Sequence, residues 1–412
     1  MKTPRLTFIG ALLALAITLA QGCKLLNASD EETAERHLHK ARVFYIDSKL
    51  AEDSKFAKAE QHCRKAFDIY RDIALGNLRT YLPKMADALW VLALIHSDMN
   101  EYSKAVEYFE TVLRLYRGLE REQFYIIATL RELAKLHRKF SDYPKALEAL
   151  EKTLNIYRRF AEVSRSPGQY YRLMADTLNE LASLHKNMSE YPKALEKHEE
   201  ALKIYRDLTK EFPSEECYLL GMAETLNNLA RLHKDMSEYP KALEKHEEAL
   251  KIYKDLSEEL PLPDTADRYE RLIEETFQVD CLDKAAMTLN DLADVYKWMN
   301  DYPKAAEEYK EALKIYRGLS YKRPYFSIKV AMVLNNLSEL YQNAIPDKEL
   351  SLRYAREAID ILGKCNLNEF HKKYVFGKKN LNKLFKNDSF DKEQLEKANR
   401  IIEKWDNSDR GN

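Results

Sequence analysis

Residues 188–205 read MSEYPKALEKHEEALKIY, and residues 236–253 read the same eighteen letters again. A repeat at a 48-residue step, Pro192 against Pro240, leaves few folds open. A unit this short cannot enclose a core of its own, so its copies must lie side by side and bury a shared one. The proline position serves as a register for the other copies. Ala57, Ser103, Pro144, Pro192, Pro240, Pro303 and Glu349 occupy it in chain order, at steps of 46, 41, 48, 48, 63 and 46 residues. Seven copies in line, over residues 35–362, describe a solenoid.

Each copy carries two helical stripes. In the fifth, Met222, Leu226, Leu229, His233 and Met236 step by 4, 3, 4 and 3 residues, and Ala242, His246, Ala249, Tyr253 and Leu256 do the same. Pro240 suits the first turn of the second helix, where its missing N–H needs no acceptor. Only 10 glycines and 32% charged residues in 412 agree with an all-α chain. The 66 basic and 67 acidic side chains leave a net charge of −1, which argues against a nucleic-acid partner held by phosphate neutralisation. The five cysteines, Cys23, Cys63, Cys217, Cys281 and Cys365, form no CxxC pair, so neither a zinc framework nor a disulfide scaffold is expected. With no glycine-rich phosphate loop, HExxH or GxSxG either, we expect no catalytic residue, no metal and no cofactor: the chain is not expected to be an enzyme.

At this point the residues resemble the tetratricopeptide repeat. Its small residue in the first helix matches Ala93, Ala134, Ala182, Ala230 and Ala293. Its small residue early in the second helix matches Ala59, Ala105, Ala146, Ala194, Ala242 and Ala305. A later slot holds Ala66, Ala201, Ala249, Ala312 and Ala358, with Val112 and Thr153 departing. TLNNLARLH and the long second helix look most like the kinesin-light-chain type; the family's closing proline is absent and KIYRDL runs on. The resemblance implies a right-handed superhelix of helical hairpins whose first helices line a concave groove.

The register also removes false sites. His96, His137, His185 and His233 look like a metal set, yet they share one slot on the buried stripe. Tyr296 fills that slot in the sixth copy, and Tyr341 in the seventh if that hairpin's loop is one residue longer. Packed, hydrogen-bonded histidines are expected. Tyr70, Tyr116, Tyr157, Tyr205, Tyr253 and Tyr316 share another slot and read as packing between repeats.

Residues 174–208 and 222–256 differ at five of thirty-five positions. Four of the five, Asp176/Glu224, Glu180/Asn228, Ser183/Arg231 and Asn187/Asp235, lie on one stripe of the first helix, about 200° from the buried one. That stripe is expected to face the groove. Asn179, Asn227, Asn290 and Asn335 recur one per copy, with Asn228 and Asn336 beside two of them. An amide both donates and accepts, so such a ladder suits the backbone of an extended peptide. The resemblance to kinesin light chains implies that role; bonding between repeats is the competing account. Trp90 and Arg131 hold the slot in copies two and three, making the groove apolar and then basic. Met287, Asp291, Asp294 and Trp298 make it acidic in the sixth.

The ends carry other information. Lys2 and Arg5 precede an uncharged run, Leu6 to Ala20, and then Gly22-Cys23: a secretory signal, residues 1–22, whose apolar run falls short of the roughly 20 residues that span a bilayer. AQGC resembles the lipobox of bacterial lipoproteins, with Ala20 where leucine is usual. The resemblance implies a lipid on Cys23 and a membrane anchor. With Lys24 next, it points to the outer membrane of a bacterial cell envelope. A leader cut near Gly22 without lipid, or an uncleaved anchor, are the alternatives. Residues 23–34 would be a tether. An insertion at 257–280 would hold a short helix, DRYERLIEETF. Residues 363–412 would cap the array with helices near Tyr374–Phe385 and Lys392–Trp405.

These features together describe a membrane-anchored scaffold that binds a peptide or protein segment in its groove. The candidate contacts are Asn179, Asn227, Asn228, Asn290, Asn335, Asn336, Arg131 and Arg231. The alternatives are a glycan-binding outer-membrane lipoprotein, or an envelope assembly factor that docks through its convex face or cap.

Overall fold

In the computed structural model every register residue stands second in a helix. The residues described are 28–50, 55–74, 78–116, 123–258, 268–364, 394, 396–401 and 403–404. The first helices of the seven copies are α1 (Ala28–Leu50), α3 (Leu78–Asp98), α5 (Gln123–Lys139), α7 (Gly168–Asn187), α9 (Glu216–Asp235), α11 (Arg268–Trp298) and α13 (Ser327–Asn343). The second helices are α2 (Phe56–Ala74), α4 (Tyr102–Tyr116), α6 (Tyr143–Val163), α8 (Tyr191–Glu211), α10 (Tyr239–Ser257), α12 (Tyr302–Lys322) and α14 (Lys348–Lys364). One short 3₁₀ turn, Pro324–Phe326, leads into α13. No strand occurs among the described residues. The leader, Cys23 and the proposed helix at 374–385 lie outside them. Helix α1 reaches back into the segment expected as a tether, and DRYERLIEETF is not a separate helix: α11 runs unbroken for 31 residues from Arg268.

The turn between the two helices of the second, third, fifth and sixth copies explains the tight spacing. Asn100, Ser141, Ser237 and Asn300 adopt left-handed φ angles of 59°, 61°, 62° and 63°. Each amide reaches back three residues, Asn100 N to Ser97 O at 3.2 Å, and the next reaches back five, Glu101 N to His96 O at 2.8 Å. Two otherwise orphaned carbonyls are thereby satisfied without a glycine. The acid after the turn then clasps the buried histidine of the preceding helix. His96 Nδ1 lies 2.6 Å from Glu101 Oε2, and His233 Nδ1 lies 2.7 Å from Glu238 Oε2. His137 instead meets the Tyr102 hydroxyl at 2.7 Å. These histidines are structural, and no three His, Cys, Asp or Glu side chains among the described residues gather into a metal site. In the seventh hairpin the loop is one residue longer, and Tyr341 O accepts from Asp347 N at 2.8 Å in the same place.

The chain forms two compact units, residues 1–188 and 189–412. In the first, α1 to α7 pack each on the next; in the second, α8 to α14 do the same. All three alanine slots are buried, so helix backbones approach closely. The tyrosine slot is buried too, and what lies against it comes from the following first helix. Lys84 sits over Tyr70 at 5.9 Å, Lys329 over Tyr316 at 5.6 Å, and Tyr125 stacks on Tyr116 at 5.2 Å. In the fifth copy this position is Gly221, and the Tyr205 ring fills the vacated space. A Cβ added there would meet the ring at 2.3 Å. The helix tolerates this glycine because the tyrosine supplies its missing side chain.

The helical residues 394, 396–401 and 403–404, the terminal helix, take the place that the first helix of an eighth copy would occupy. Ala398 is fully buried in the core around α13, and Ile401 is also buried. Gln342 Nε2 donates to Ile401 O at 3.0 Å, and Lys404 Nζ to Asn343 Oδ1 at 2.7 Å.

Candidate interaction site

Within each unit, neighbouring first helices are joined by rungs of polar side chains, and the candidate residues sit on the walls these rungs form. In the first unit Arg131 of α5 donates to Glu180 of α7. Burial opposes the Arg131 charge, but Glu180 and the Tyr157 hydroxyl outweigh it and hold its pKa up. Asn179 is half-buried beside this rung. Trp90 is half-buried against the apolar core and does not form an open patch.

In the second unit the rungs run from α9 to α11 to α13 and on to the terminal helix. Glu224 pairs with Lys284, and Arg231 Nε donates to Asp291 Oδ2 at 2.8 Å. Asn336 Nδ2 donates to Asn290 Oδ1 at 2.9 Å. Lys397 donates to Asn336 Oδ1 at 3.1 Å and meets Glu339 at 3.0 Å. These contacts recast the differences between the duplicated copies. Glu224 and Arg231 answer Lys284 and Asp291 of the next copy, while Glu180 answers Arg131 of the preceding one. At these positions the duplicates diverged to fit their neighbours.

The asparagine slot divides in two. Asn227 is 5% exposed, and its amide is spent inside the fold. Its Oδ1 lies 2.8 Å from His246 Nδ1, and its Nδ2 donates to Thr288 Oγ1 at 2.6 Å. Asn335 is fully buried and donates to Gln394 O at 2.9 Å and Gln394 Oε1 at 3.1 Å. The expectation that Asn227 and Asn335 grip a ligand is therefore corrected: these two amides lock repeats together. Asn290 escapes this fate because Tyr309 replaces the histidine and Val333 the threonine. Tyr309 bonds Asp294 instead. Asn290, Asn336 and Asn228 stay half-exposed, and among the described residues no side chain bonds the Asn228 amide.

A threonine slot went unnoticed in the sequence. Thr129, Thr177, Thr225 and Thr288 are buried, and each donates to the carbonyl four residues back, at 2.7, 2.7, 2.8 and 2.8 Å. Spacing alone could have found it.

On α11 the same wall turns open and mixed. Met287 is 39% and Trp298 64% exposed, with Asp291 and Asp294 between them on one stripe. Burial pushes the Asp294 carboxyl up, and the Tyr309 hydroxyl draws it partly back.

Comparison with known proteins agrees with this architecture. Tetratricopeptide repeat profiles match residues 84–159 and 174–211. The soluble NSF attachment protein profile matches 221–408, and that of anaphase-promoting complex subunit 5 matches 45–120. Residues 84–159 and 174–211 are thus tetratricopeptide repeats, and the described helices form helical-hairpin repeats of the same type. Among solved structures it is similar to the apo form of RapI, at 16% identity and a TM-score of 0.50, over 89% of this chain and 85% of that one. It is also similar to BtubC (BKLC) from P. vanneervenii, at 20% identity and a TM-score of 0.46, over 65% and 93%. Nearly identical TPR-like repeats assigned to a Podosopora anserina kinesin light chain align at 17% identity and a TM-score of 0.40, over 58% and 96%. At these identities the likeness speaks to fold alone. No curated protein sequence matches this one.

Proposed function

We propose that the protein is a lipid-anchored scaffold whose wall of first helices in the second unit holds an extended segment of a partner protein. One observation carries this reading. Asn228 and Asn290 remain half-exposed on the wall that also opens Met287 and Trp298, and the half-exposed Asn336 bridges Asn290 to Lys397; Asn227 is buried with both amide atoms bonded, and Asn335 is buried with its Nδ2 on Gln394. Solvent-reachable amides beside open apolar side chains suit a peptide backbone and its side chains together. Replacing Asn228, Asn290 and Asn336 with alanine together should weaken capture of a peptide selected against the full chain by about tenfold or more, each lost hydrogen bond contributing roughly 1 kcal/mol. Helical content should stay unchanged. Undiminished capture by the triple variant would remove the wall from the proposal.

The anchor rests on Cys23 and the leader before it. Attachment is assigned to lipid on that cysteine because AQGC resembles a lipobox. In a bacterial host, Cys23→Ser should move the protein from the detergent phase to the aqueous phase on partitioning. If the variant still partitions with detergent, the anchor lies elsewhere.

A further inference from the structure

The mixed stripe on α11 has a chemistry that the amide wall does not explain. Met287, Asp291, Asp294 and Trp298 step by 4, 3 and 4 residues and therefore share one face. Each of the two carboxylates is only half used. Arg231 takes Asp291 through one oxygen, Oδ2, with both its Nε and a terminal nitrogen at 2.8 Å. The Tyr309 hydroxyl takes Asp294 Oδ1. Asp291 Oδ1 and Asp294 Oδ2 are left over, one helical turn apart. Lys234 and Lys297 act on Asp294 from a distance, and no cation among the described residues bonds it. Lys297 is instead turned toward Glu339, at 3.8 Å. One further turn along stands the Trp298 indole, 64% exposed, with Met299 open beside it.

Asp294, a half-buried carboxylate without a bonded cation, one helical turn from an open indole, is complementary to a planar cation. The carboxylates supply charge and fork-shaped acceptors, and the indole face attracts the same group electrostatically. An ammonium would gain the charge and part of the ring attraction, but could not bridge two carboxylates while lying flat on the indole. We infer that the α11 stripe is the specificity pocket of the wall and takes an arginine side chain of the bound peptide, its guanidinium between Asp291 and Asp294 and its plane on Trp298. This rests on the peptide-binding reading above and adds to it the side chain that is selected.

The test is selection of random twelve-residue peptides against the full chain. Enriched peptides should share an arginine at one position, and changing that arginine to citrulline should weaken binding about tenfold or more. Asp294→Asn keeps the oxygen that Tyr309 bonds and so keeps the fold. It should weaken those peptides about tenfold, as should Trp298→Ala. The Asn228→Ala variant should weaken peptides with arginine and with citrulline by equal factors. Peptides that depend on Asn228 and Asn290 but carry no shared arginine, and ignore Asp294→Asn, would overturn this inference and leave the wall standing. Failure to enrich any peptide that depends on the wall would overturn both.

Discussion

Tyr316→Ala should lower the free energy of unfolding of the full chain by about 3–5 kcal/mol, the cost of emptying a fully buried aromatic site. The side chain is 0% exposed, lies 6.2 Å from the Phe326 ring and has the Lys329 ammonium above it. It therefore joins α12 to the next first helix as well as filling space. A solenoid couples only nearest neighbours, so losing this joint should loosen α13, α14 and the terminal helix more than α9 and α10. Hydrogen exchange resolved along the chain would register that gradient, and urea titration the total. Tyr316→Phe isolates the hydroxyl. Its bond to Asp283 O is long, 3.4 Å, so the phenylalanine variant should lose under about 1 kcal/mol. An alanine variant no weaker than the phenylalanine one would mean that the slot does not carry the stacking of repeats.

The fold was legible because each packing job recurs. An alanine, a tyrosine or a histidine that returns at one register position in copy after copy declares its environment several times over. Burial of all three slots follows from that redundancy. The hairpin turn was written equally often, as MNEY, FSDY, MSEY and MNDY, yet its left-handed residue was harder to foresee because serine and asparagine stand where glycine is the usual choice. The binding wall was less legible, and for a different reason. Periodicity places a residue on a face of its own helix; it does not say which side chains on other helices will cover it. Asn227 and Asn290 occupy equivalent slots, but their fates depend on partners 19 and 61 residues away from Asn227 and on their replacements around Asn290. The necessary clue was a coincidence of three slots across two copies: asparagine and histidine in copy five with threonine in copy six, against asparagine and tyrosine in copy six with valine in copy seven. The differences between the duplicated copies had a similar lesson, since Arg231 makes sense only beside Asp291.

That buried trio also dictates how the protein should respond to acid. His246 is fully buried, with Nδ1 on Asn227 and Nε2 without a partner, so the ring is held neutral. Burial lowers its pKa to about 4; Asp291 favours the charged form, and Arg231 and Lys234 oppose it. Above pH 6.5 the ring is neutral in both the folded and unfolded chain and contributes no pH dependence. Below it the unfolded chain takes up the proton first, so folding is progressively penalised until the folded ring also protonates near pH 4. The loss across that window should be about 3 kcal/mol. Carboxylates titrate over part of the same range, so the measurement is the difference between the wild type and His246→Phe, a side chain that Phe109 shows the slot accepts. At pH 7 the variant should be less stable by about 1–3 kcal/mol, because Asn227 Oδ1 loses its donor in a dry site. As the pH falls to 4 that deficit should shrink and then reverse, since only the wild type has an imidazole to charge. Unfolding curves that keep a constant separation from pH 7 to pH 4 would show that His246 does not titrate with folding. The clasp between α10, α9 and α11 would then have to be held by packing alone.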